Sequence, residues 1–234
     1  MSDVAAVFFD VDFTLIYPGP RFQAGGYERF CAAHGITVNR ARFAAAVRAA
    51  SLELEEAQHV HDDETYIRFT RRVIEGMGGS GPALDACARQ VYAEWAACHH
   101  FFMYDDVAPV LRELAGRGLK LGLISNSHRC LVSFQRHFEL DGLISAAVTS
   151  SQHGYVKPHP SIFHAALRQA GVDAHQSVMV GDSLVHDVEG ARRVGMRGVL
   201  LNRARTPFRA ALDVPVIHEM SELPALLFGP RQLN

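Results

Sequence analysis

The sequence lacks the features that mark nucleic-acid binders, membrane proteins and exported proteins. Its 234 residues include 23 basic and 25 acidic side chains, so it has no excess of positive charge for nucleic acid or an anionic membrane. No apolar run approaches the roughly 20 residues that cross a bilayer. The N-terminal stretch MSDVAAVFFD has neither a basic lead nor a small-residue cleavage site. We therefore expect a cytoplasmic protein that binds neither nucleic acid nor membrane.

Cysteine and lysine are both scarce. The four cysteines are Cys31, Cys87, Cys98 and Cys130. They form no C-x-x-C pair, and each falls in an apolar stripe at helical spacing, which favours small buried side chains in a reducing compartment. Only two of the 23 basic residues are lysines, Lys120 and Lys157. A lysine inside a motif therefore indicates a need for an ammonium group rather than a guanidinium group.

Short apolar runs alternate with amphipathic helical patterns outside one central region. The runs are apolar on both faces, which is typical of buried parallel strands. They cover residues 4–9, 119–124, 146–149, 177–180 and 198–201. The helical patterns between them cover residues 107–117, 129–138, 160–170 and 185–194. This alternation predicts an α/β fold with a doubly wound, Rossmann-like parallel sheet.

Residues 20–100 contain no convincing strand. Apolar side chains recur there every three or four residues, which is typical of amphipathic helices. Four such helices interrupt the α/β pattern directly after its first strand. The sequence therefore predicts an α/β core of residues 1–18 and 102–234, with an all-helical domain of residues 19–101 inserted into it.

Two pairs of aspartates stand directly after apolar runs. Asp10 and Asp12 follow the first run, and Asp182 follows the run at residues 177–180, with Asp187 further along. Because the carboxyl ends of parallel strands form one edge of a sheet, we expect both pairs to lie at that edge. Clustered carboxylates need a cation or a proton to offset their charge, and Mg²⁺ prefers such hard oxygen ligands. The sequence therefore predicts a Mg²⁺ site between two strand ends.

Two further motifs supply an anion site and a cation. Ser125 and Asn126 end another strand, just before a helix that we expect to begin near residue 128 or 129. Together with the free N–H groups of that helix, their side chains could cradle an anion. Lys157 precedes Pro158, which favours an extended conformation for the lysine. Since arginine serves almost everywhere else in this chain, Lys157 is a candidate for a specific catalytic or binding role.

In this order and at this spacing, the four motifs resemble those of the haloacid dehalogenase superfamily. The resemblance extends over essentially the whole core, and the helical insert resembles the helical cap of the phosphatase branch. It implies that Asp10 is a nucleophile that forms an aspartyl-phosphate. It also implies that Asp12 is the general acid that protonates the leaving oxygen and then the base that activates water, with Thr14 in support of Asp12.

The resemblance assigns the anion site and the lysine to the transferring group. Ser125 and Asn126 would bind the phosphoryl group. Lys157 would neutralise charge on that group and on Asp10. These roles imply a small phosphorylated metabolite as the substrate, in a protein that is a monomer or a homodimer.

The resemblance also assigns the metal ligands. Asp182 would bind Mg²⁺ together with the side chain of Asp10 and the main-chain carbonyl of Asp12. Asp187 would support this site or act as an alternative ligand. The implied activity is that of a Mg²⁺-dependent phosphoric monoester hydrolase.

Several alternatives remain open at this level. A phosphomutase of the same superfamily shares every motif, and a non-catalytic binding protein could be built on the same scaffold. Asp12 argues against a true dehalogenase, since those enzymes lack the second acid. The absence of lysine from residues 20–100 argues against a phosphonatase, which needs a lysine in its cap.

Two features fall outside the family pattern. Phe13 stands where the family very often has glycine or another small or polar residue, and its bulk bears on the size of the substrate. Arg203, Arg205 and Arg209 lie outside any motif and are interpreted as surface residues.

Overall fold

The protein is described here by a computed structural model, in which residues 4–55, 59–207 and 212–229 are described. The chain divides into two compact units. One unit comprises the described residues up to Tyr17 and from Met103 onward, and the other comprises Pro18–Phe102. The boundaries predicted from the sequence, after residue 18 and after residue 101, each stand one residue from these.

The first unit is built on a parallel sheet. The described strands are β1 (Ala6–Phe9), β2 (Ile16–Pro18), β3 (Phe101–Met103), β4 (Lys120–Ser125), β5 (Ile144–Thr149), β6 (Ser177–Gly181), β7 (Arg197–Leu201) and β8 (Val216–Ile217). Six of them form one sheet in the order β5-β4-β1-β6-β7-β8, with every neighbouring pair parallel. Within this sheet, β4 and β5 lie on one side of β1, and β6, β7 and β8 lie on the other side. The prediction of a doubly wound parallel sheet is therefore confirmed, while β2, β3 and β8 were not predicted.

The register of the three central strands brings the motifs to one edge. Phe9 of β1 is level with Leu123 of β4 and with Val180 of β6. Asp10 follows β1 directly, and Asp182 follows β6 directly. Because all three strands run in the same direction, residues far apart in the sequence leave the sheet side by side.

Apolar packing holds β1 and β4 in this register. Phe8 and Phe163 are fully buried in one cluster beneath the sheet. A Cβ atom at Gly122 would overlap the ring of Phe8, so only glycine fits where β4 passes that ring. Burying a phenylalanine side chain contributes about 1.5–3 kcal/mol. The position of Asp10, two residues beyond Phe8, is thus fixed by a rigid core.

Two of the helices predicted for the core differ from the observed ones. The described α-helices are α1 (Ala24–Ala33), α2 (Phe43–Glu55), α3 (Asp63–Gly76), α4 (Leu84–Trp95), α5 (Val107–Gly116), α6 (Leu131–His137), α7 (Ser150–His153), α8 (Pro160–Ala170), α9 (Gly190–Arg193) and α10 (Leu223–Phe228). The helix predicted to begin near residue 128 or 129 begins only at Leu131. The helix predicted over residues 185–194 is split into a π-helical segment, Leu184–Glu189, followed by α9. Such π-helical turns occur frequently at functional sites.

The second unit contains α1 to α4, in agreement with the four predicted helices. Asp62 begins α3 by accepting a hydrogen bond from the N–H of Glu64 at 3.2 Å. Cys31 and Cys87 are buried, as expected, whereas Cys98 is only partly buried. Cys130 is exposed and precedes α6 instead of packing within it. Within the described residues, no helix combines the length and the apolar character needed to cross a membrane.

Candidate active site

Asp10 lies at the carboxyl end of β1, and the surrounding chain holds it firmly. Its N–H donates to the carbonyl oxygen of Val180 at 2.9 Å, which extends the pairing of β1 with β6 by one residue. Asp10 is 7% exposed, and its Oδ1 accepts a hydrogen bond from Nζ of Lys157 at 2.6 Å. A buried carboxylate is costly unless it is paired, so the ammonium group explains how Asp10 is tolerated there.

Lys157 reaches this site from the segment between β5 and α8. Its Nζ also lies 2.7 Å from the carbonyl oxygen of Ile124 and 2.7 Å from Oδ1 of Asp187. The ammonium group of Lys157 therefore donates hydrogen bonds to Asp10 and Ile124, and it forms a second ion pair with Asp187. Asn126 holds the main chain of Lys157 on both sides, because its Nδ2 donates to the carbonyl oxygen at 3.0 Å and its Oδ1 accepts from the N–H at 2.7 Å.

Three carboxylates meet at the same edge of the sheet. Asp10, Asp182 and Asp187 each place one oxygen within 4.8 Å of the others. Oδ2 of Asp187 accepts a hydrogen bond from the N–H of Ser183 at 3.0 Å. A Cβ atom at Gly181 would overlap this carboxylate, so glycine is required at the end of β6. Three of the four aspartates in the two predicted pairs therefore lie together, and Asp12 is the exception.

These residues fit a divalent cation. The group has three carboxylates, two of them buried, and Lys157 offsets only one negative charge. Carboxylate oxygens from separate strands at this spacing are hard ligands of the kind that Mg²⁺ prefers. Asp187 pairs with Lys157 and is itself a member of the acidic group. This position suits both roles expected for it, as a support of the metal site and as an alternative ligand.

The electrostatics of the site reflect its negative charge. Burial raises the pKa of Asp10 to about 7, against the opposite effect of Lys157. Desolvation and then the charges of Asp10 and Asp187 also raise the pKa of Asp182, although this residue is the exposed member of the group. Burial alone would lower the pKa of Lys157, but the carboxylates beside it outweigh burial and raise that pKa. Lys157 is therefore cationic, and a bound cation would favour the charged forms of the carboxylates.

The side chain of Asp12 is not part of the acidic group but pairs with an arginine. Nη1 of Arg129 donates to Oδ1 of Asp12 at 2.9 Å and to Oδ2 at 3.0 Å. Arg129 lies between β4 and α6 and is 1% exposed. The helical pattern over residues 129–138 predicts Arg129 only as part of a helix. Its position soon after the Ser125-Asn126 strand end was the one available signal. The part of Asp12 expected to bind Mg²⁺ is its main-chain carbonyl.

Thr14 contacts a different aspartate from the one expected. The resemblance placed it in support of Asp12, whereas its hydroxyl donates to Oδ1 of Asp182 at 3.4 Å. Its carbonyl oxygen accepts from Nε and Nη2 of Arg203 at 3.3 and 3.0 Å. Arg203 also forms two hydrogen bonds of 3.0 Å with Asp106. The interpretation of Arg203 as a surface residue was therefore wrong, because it fastens the segment that follows Asp12.

Ser125 and Asn126 occupy different environments. The hydroxyl of Ser125 donates to Oγ of Ser127 at 2.9 Å, and both residues are buried. The side chain of Asn126 is engaged with Lys157, as described above. Because α6 begins only at Leu131, the expected helix N-terminus does not directly follow these residues. Their role in binding a phosphoryl group remains a prediction.

Phe13 has a left-handed backbone conformation, with φ of 65°. Its side chain is 46% exposed. It lines a cavity of about 630 Å³ together with Tyr104, Asp182 and Arg203. The bulky residue noted in the motif therefore borders open space beside a member of the acidic group. Of the other arginines taken as surface residues, Arg205 is exposed and Arg209 lies outside the described residues.

The fold and the acidic site define a class of enzymes, and comparison with known proteins identifies it. The family model of haloacid dehalogenase-like hydrolases matches residues 4–195. The chain therefore belongs to this family. The predicted superfamily and the prediction of a hydrolase are confirmed.

Individual relatives and structures agree with this assignment. The chain is 33% identical over 135 residues to haloacid dehalogenase-like hydrolase domain-containing protein 3 of Xenopus laevis, covering 58% of this chain and 55% of that protein. The matched region thus spans about half the length of this relative. The chain is 28% identical over 239 residues to glyceraldehyde 3-phosphate phosphatase of Methanothermobacter thermautotrophicus, covering 95% of this chain and 99% of that protein. A crystal structure of a HAD phosphatase from Thermococcus onnurineus shares the fold, with a TM-score of 0.67, 24% identity, and coverage of 97% of this chain and 100% of that chain.

Proposed function

We propose that this chain is a Mg²⁺-dependent phosphatase that hydrolyses a small phosphomonoester through an aspartyl-phosphate on Asp10. The observation that carries the proposal is the buried Asp10 carboxylate, bonded to Lys157 and grouped with Asp182 and Asp187. The similarity to an archaeal glyceraldehyde 3-phosphate phosphatase supports a phosphate ester as the substrate.

The first half of the reaction transfers the phosphoryl group to the protein. A carboxylate oxygen of Asp10 attacks phosphorus while the bond to the leaving oxygen breaks, and Asp12 donates a proton to that oxygen. Lys157 reduces the repulsion between the Asp10 carboxylate and the anionic substrate. The Ser125 hydroxyl and the main-chain N–H of Asn126 bind the phosphoryl oxygens.

The second half regenerates the enzyme. Asp12, now a carboxylate, takes a proton from water, and that water attacks the phosphorus of the aspartyl-phosphate. The bond between phosphorus and the Asp10 oxygen breaks, which releases inorganic phosphate and restores the Asp10 carboxylate. The side chains of Asp10, Asp182 and Asp187, with the Asp12 carbonyl, would hold the cation. When bound, Mg²⁺ supplies positive charge that offsets the negative charge of the carboxylates and the phosphate.

The direct test uses 4-nitrophenyl phosphate and the purified full-length chain. We expect release of phosphate that requires Mg²⁺ and stops in EDTA. Asp10→Asn should abolish both turnover and covalent labelling by a ³²P-labelled substrate, because the nucleophile is gone. Label that stays on Asp10→Asn, or turnover by that variant, would disprove the assignment of the nucleophile.

Other outcomes would identify the alternative functions. Transfer of phosphate between positions of one substrate, without release of inorganic phosphate, would indicate a phosphomutase. Binding of phosphorylated metabolites without turnover would indicate a binding protein. A panel of sugar phosphates, phosphoglycolate, nucleotides and glyceraldehyde 3-phosphate would then define the substrate. The cytoplasmic location and the monomeric or homodimeric state remain predictions.

A further inference from the structure

Arg129 and Asp12 form an ion pair, so Asp10 and Asp12 have different cationic partners. Asp10 is bonded to Lys157, whereas both oxygens of Asp12 accept from Nη1 of Arg129. The two carboxylates therefore each have their own cation, although only one residue separates them in the sequence. This division suits two carboxylates that have different tasks.

The burial of Arg129 limits what it can do. Its side chain has no exposed surface, while the Asp12 side chain is 18% exposed. The guanidinium group is charged at every accessible pH and is costly to bury without an acidic partner. With no accessible atoms, it does not contact a substrate in this conformation. Any effect on the reaction therefore passes through Asp12, whose carboxylate reaches the surface.

The geometry fixes the position of the Asp12 carboxylate. Nη1 of Arg129 donates to both of its oxygens, at 2.9 and 3.0 Å, from a side chain that is itself packed in the core. A carboxylate held in this way at the surface is placed to orient the water that attacks in the second half of the reaction.

We propose that Arg129 is a positioning residue that holds the Asp12 carboxylate as the base for hydrolysis of the aspartyl-phosphate. This inference rests on the proposed function, in which Asp12 activates water. It predicts that loss of Arg129 releases the Asp12 carboxylate from this fixed position. With 4-nitrophenyl phosphate the second half should therefore slow more than the first, which needs little acid catalysis because nitrophenolate is a good leaving group.

Rapid mixing with 4-nitrophenyl phosphate tests this selectivity. In Arg129→Met we expect the initial burst of nitrophenolate to keep its rate within about threefold, while steady-state turnover falls about tenfold or more. The KM should follow the fall in turnover, since the aspartyl-phosphate accumulates. Arg129→Lys should recover part of the turnover because it retains the charge. Arg136→Met, at an exposed arginine in α6, is the matched control and should leave both phases unchanged.

A double-mutant cycle tests whether Arg129 acts through Asp12. Single-turnover decay of ³²P-labelled enzyme should slow in Asp12→Asn, and adding Arg129→Met should slow it no further. An equal loss in both backgrounds, or an equal loss of burst and steady-state rates, would overturn the proposal and indicate a general structural role. If Arg129→Met does not fold, the same ratios measured in Arg129→Lys decide. Absence of turnover by the wild type would instead refute the proposed function.

Discussion

The side-chain amide of Asn126 forms two hydrogen bonds with the main chain of Lys157. The amide donates to the carbonyl oxygen of Lys157 at 3.0 Å and accepts from its N–H at 2.7 Å. The ammonium group of Lys157 then lies between Asp10 and Asp187. The strand-end amide thus sets the position of the cation that faces the candidate nucleophile.

Replacing this amide should weaken catalysis and stability together. Asn126→Ala removes both bonds, and at about 1 kcal/mol for each we expect a loss of roughly 2 kcal/mol in the free energy of unfolding. Turnover of 4-nitrophenyl phosphate should fall about tenfold or more, because Lys157 is no longer held beside Asp10. Denaturant unfolding and steady-state kinetics measure the two effects.

A second asparagine provides the control. The side chain of Asn202 bonds to the main chain of Thr206 in the same way, with exposed hydrogen bonds of 2.9 and 3.0 Å that do not involve Lys157. Asn202→Ala should lose stability without a comparable fall in turnover per folded molecule. An equal fall in turnover for Asn126→Ala and Asn202→Ala would show that the hydrogen bonds between Asn126 and Lys157 have no specific role in catalysis.

Removing Asp187 should weaken metal binding. The carboxylate is one of the three in the acidic group and also pairs with Lys157 at 2.7 Å. For Asp187→Asn we expect the Mg²⁺ concentration for half-maximal activity to rise about 10- to 100-fold, the range typical of groups that support a metal site. Titration of activity with Mg²⁺ measures this. Asp213→Asn, at a fully exposed aspartate, should show no change.

The stability of the protein should depend on pH and Mg²⁺ in a linked way. The pKa of Asp10 is raised from 3.8 to about 7, so between these values the folded metal-free chain binds more protons than the unfolded chain. The stability that Asp10 contributes to the folded chain is therefore present at low pH. It is lost as the pH rises from 3.8 to about 7. Asp182 shifts in the same direction.

Mg²⁺ competes with these protons and should stabilise the protein most where the carboxylates are ionised. We expect the rise in Tm on adding Mg²⁺ to be larger at about pH 8 than at about pH 5. Calorimetry in EDTA and in Mg²⁺ at both pH values measures the difference. A rise in Tm that does not change with pH would contradict a site made of these carboxylates.

Phe13 should respond differently to glycine and to alanine. Both substitutions remove the ring, but alanine keeps the left-handed strain at φ of 65°, which costs an L-residue about 1–2 kcal/mol. Glycine relieves this strain at an entropic cost of about 0.5–1 kcal/mol. We therefore expect Phe13→Gly to be the more stable variant, as measured by urea unfolding. Because Phe13 lines the cavity beside Asp182, both variants should lower the KM for bulkier esters.

The local patterns in the chain were sufficient for the fold class and for most of the acidic site. Runs that are apolar on both faces identify buried parallel strands, and aspartates directly after such runs must emerge at the same edge of the sheet. This reasoning placed Asp10, Asp182 and Asp187 together, and it singled out Lys157. It also predicted the helices of the insert, whose 3.6-residue periodicity is a local property.

The pairing of charges depended on tertiary structure. Asp12 and Arg129 are 117 residues apart, and Thr14 and Arg203 are 189 apart, so no local pattern connects them. Which cation faces which carboxylate is decided by strand register and by how the segments after the strands fold back over the sheet edge. Charge attraction acts over distance in space and is independent of distance along the chain. The sequence was therefore sufficient to identify the aspartates and the lysine of the site. Which charged residues pair with one another was decided only by tertiary packing.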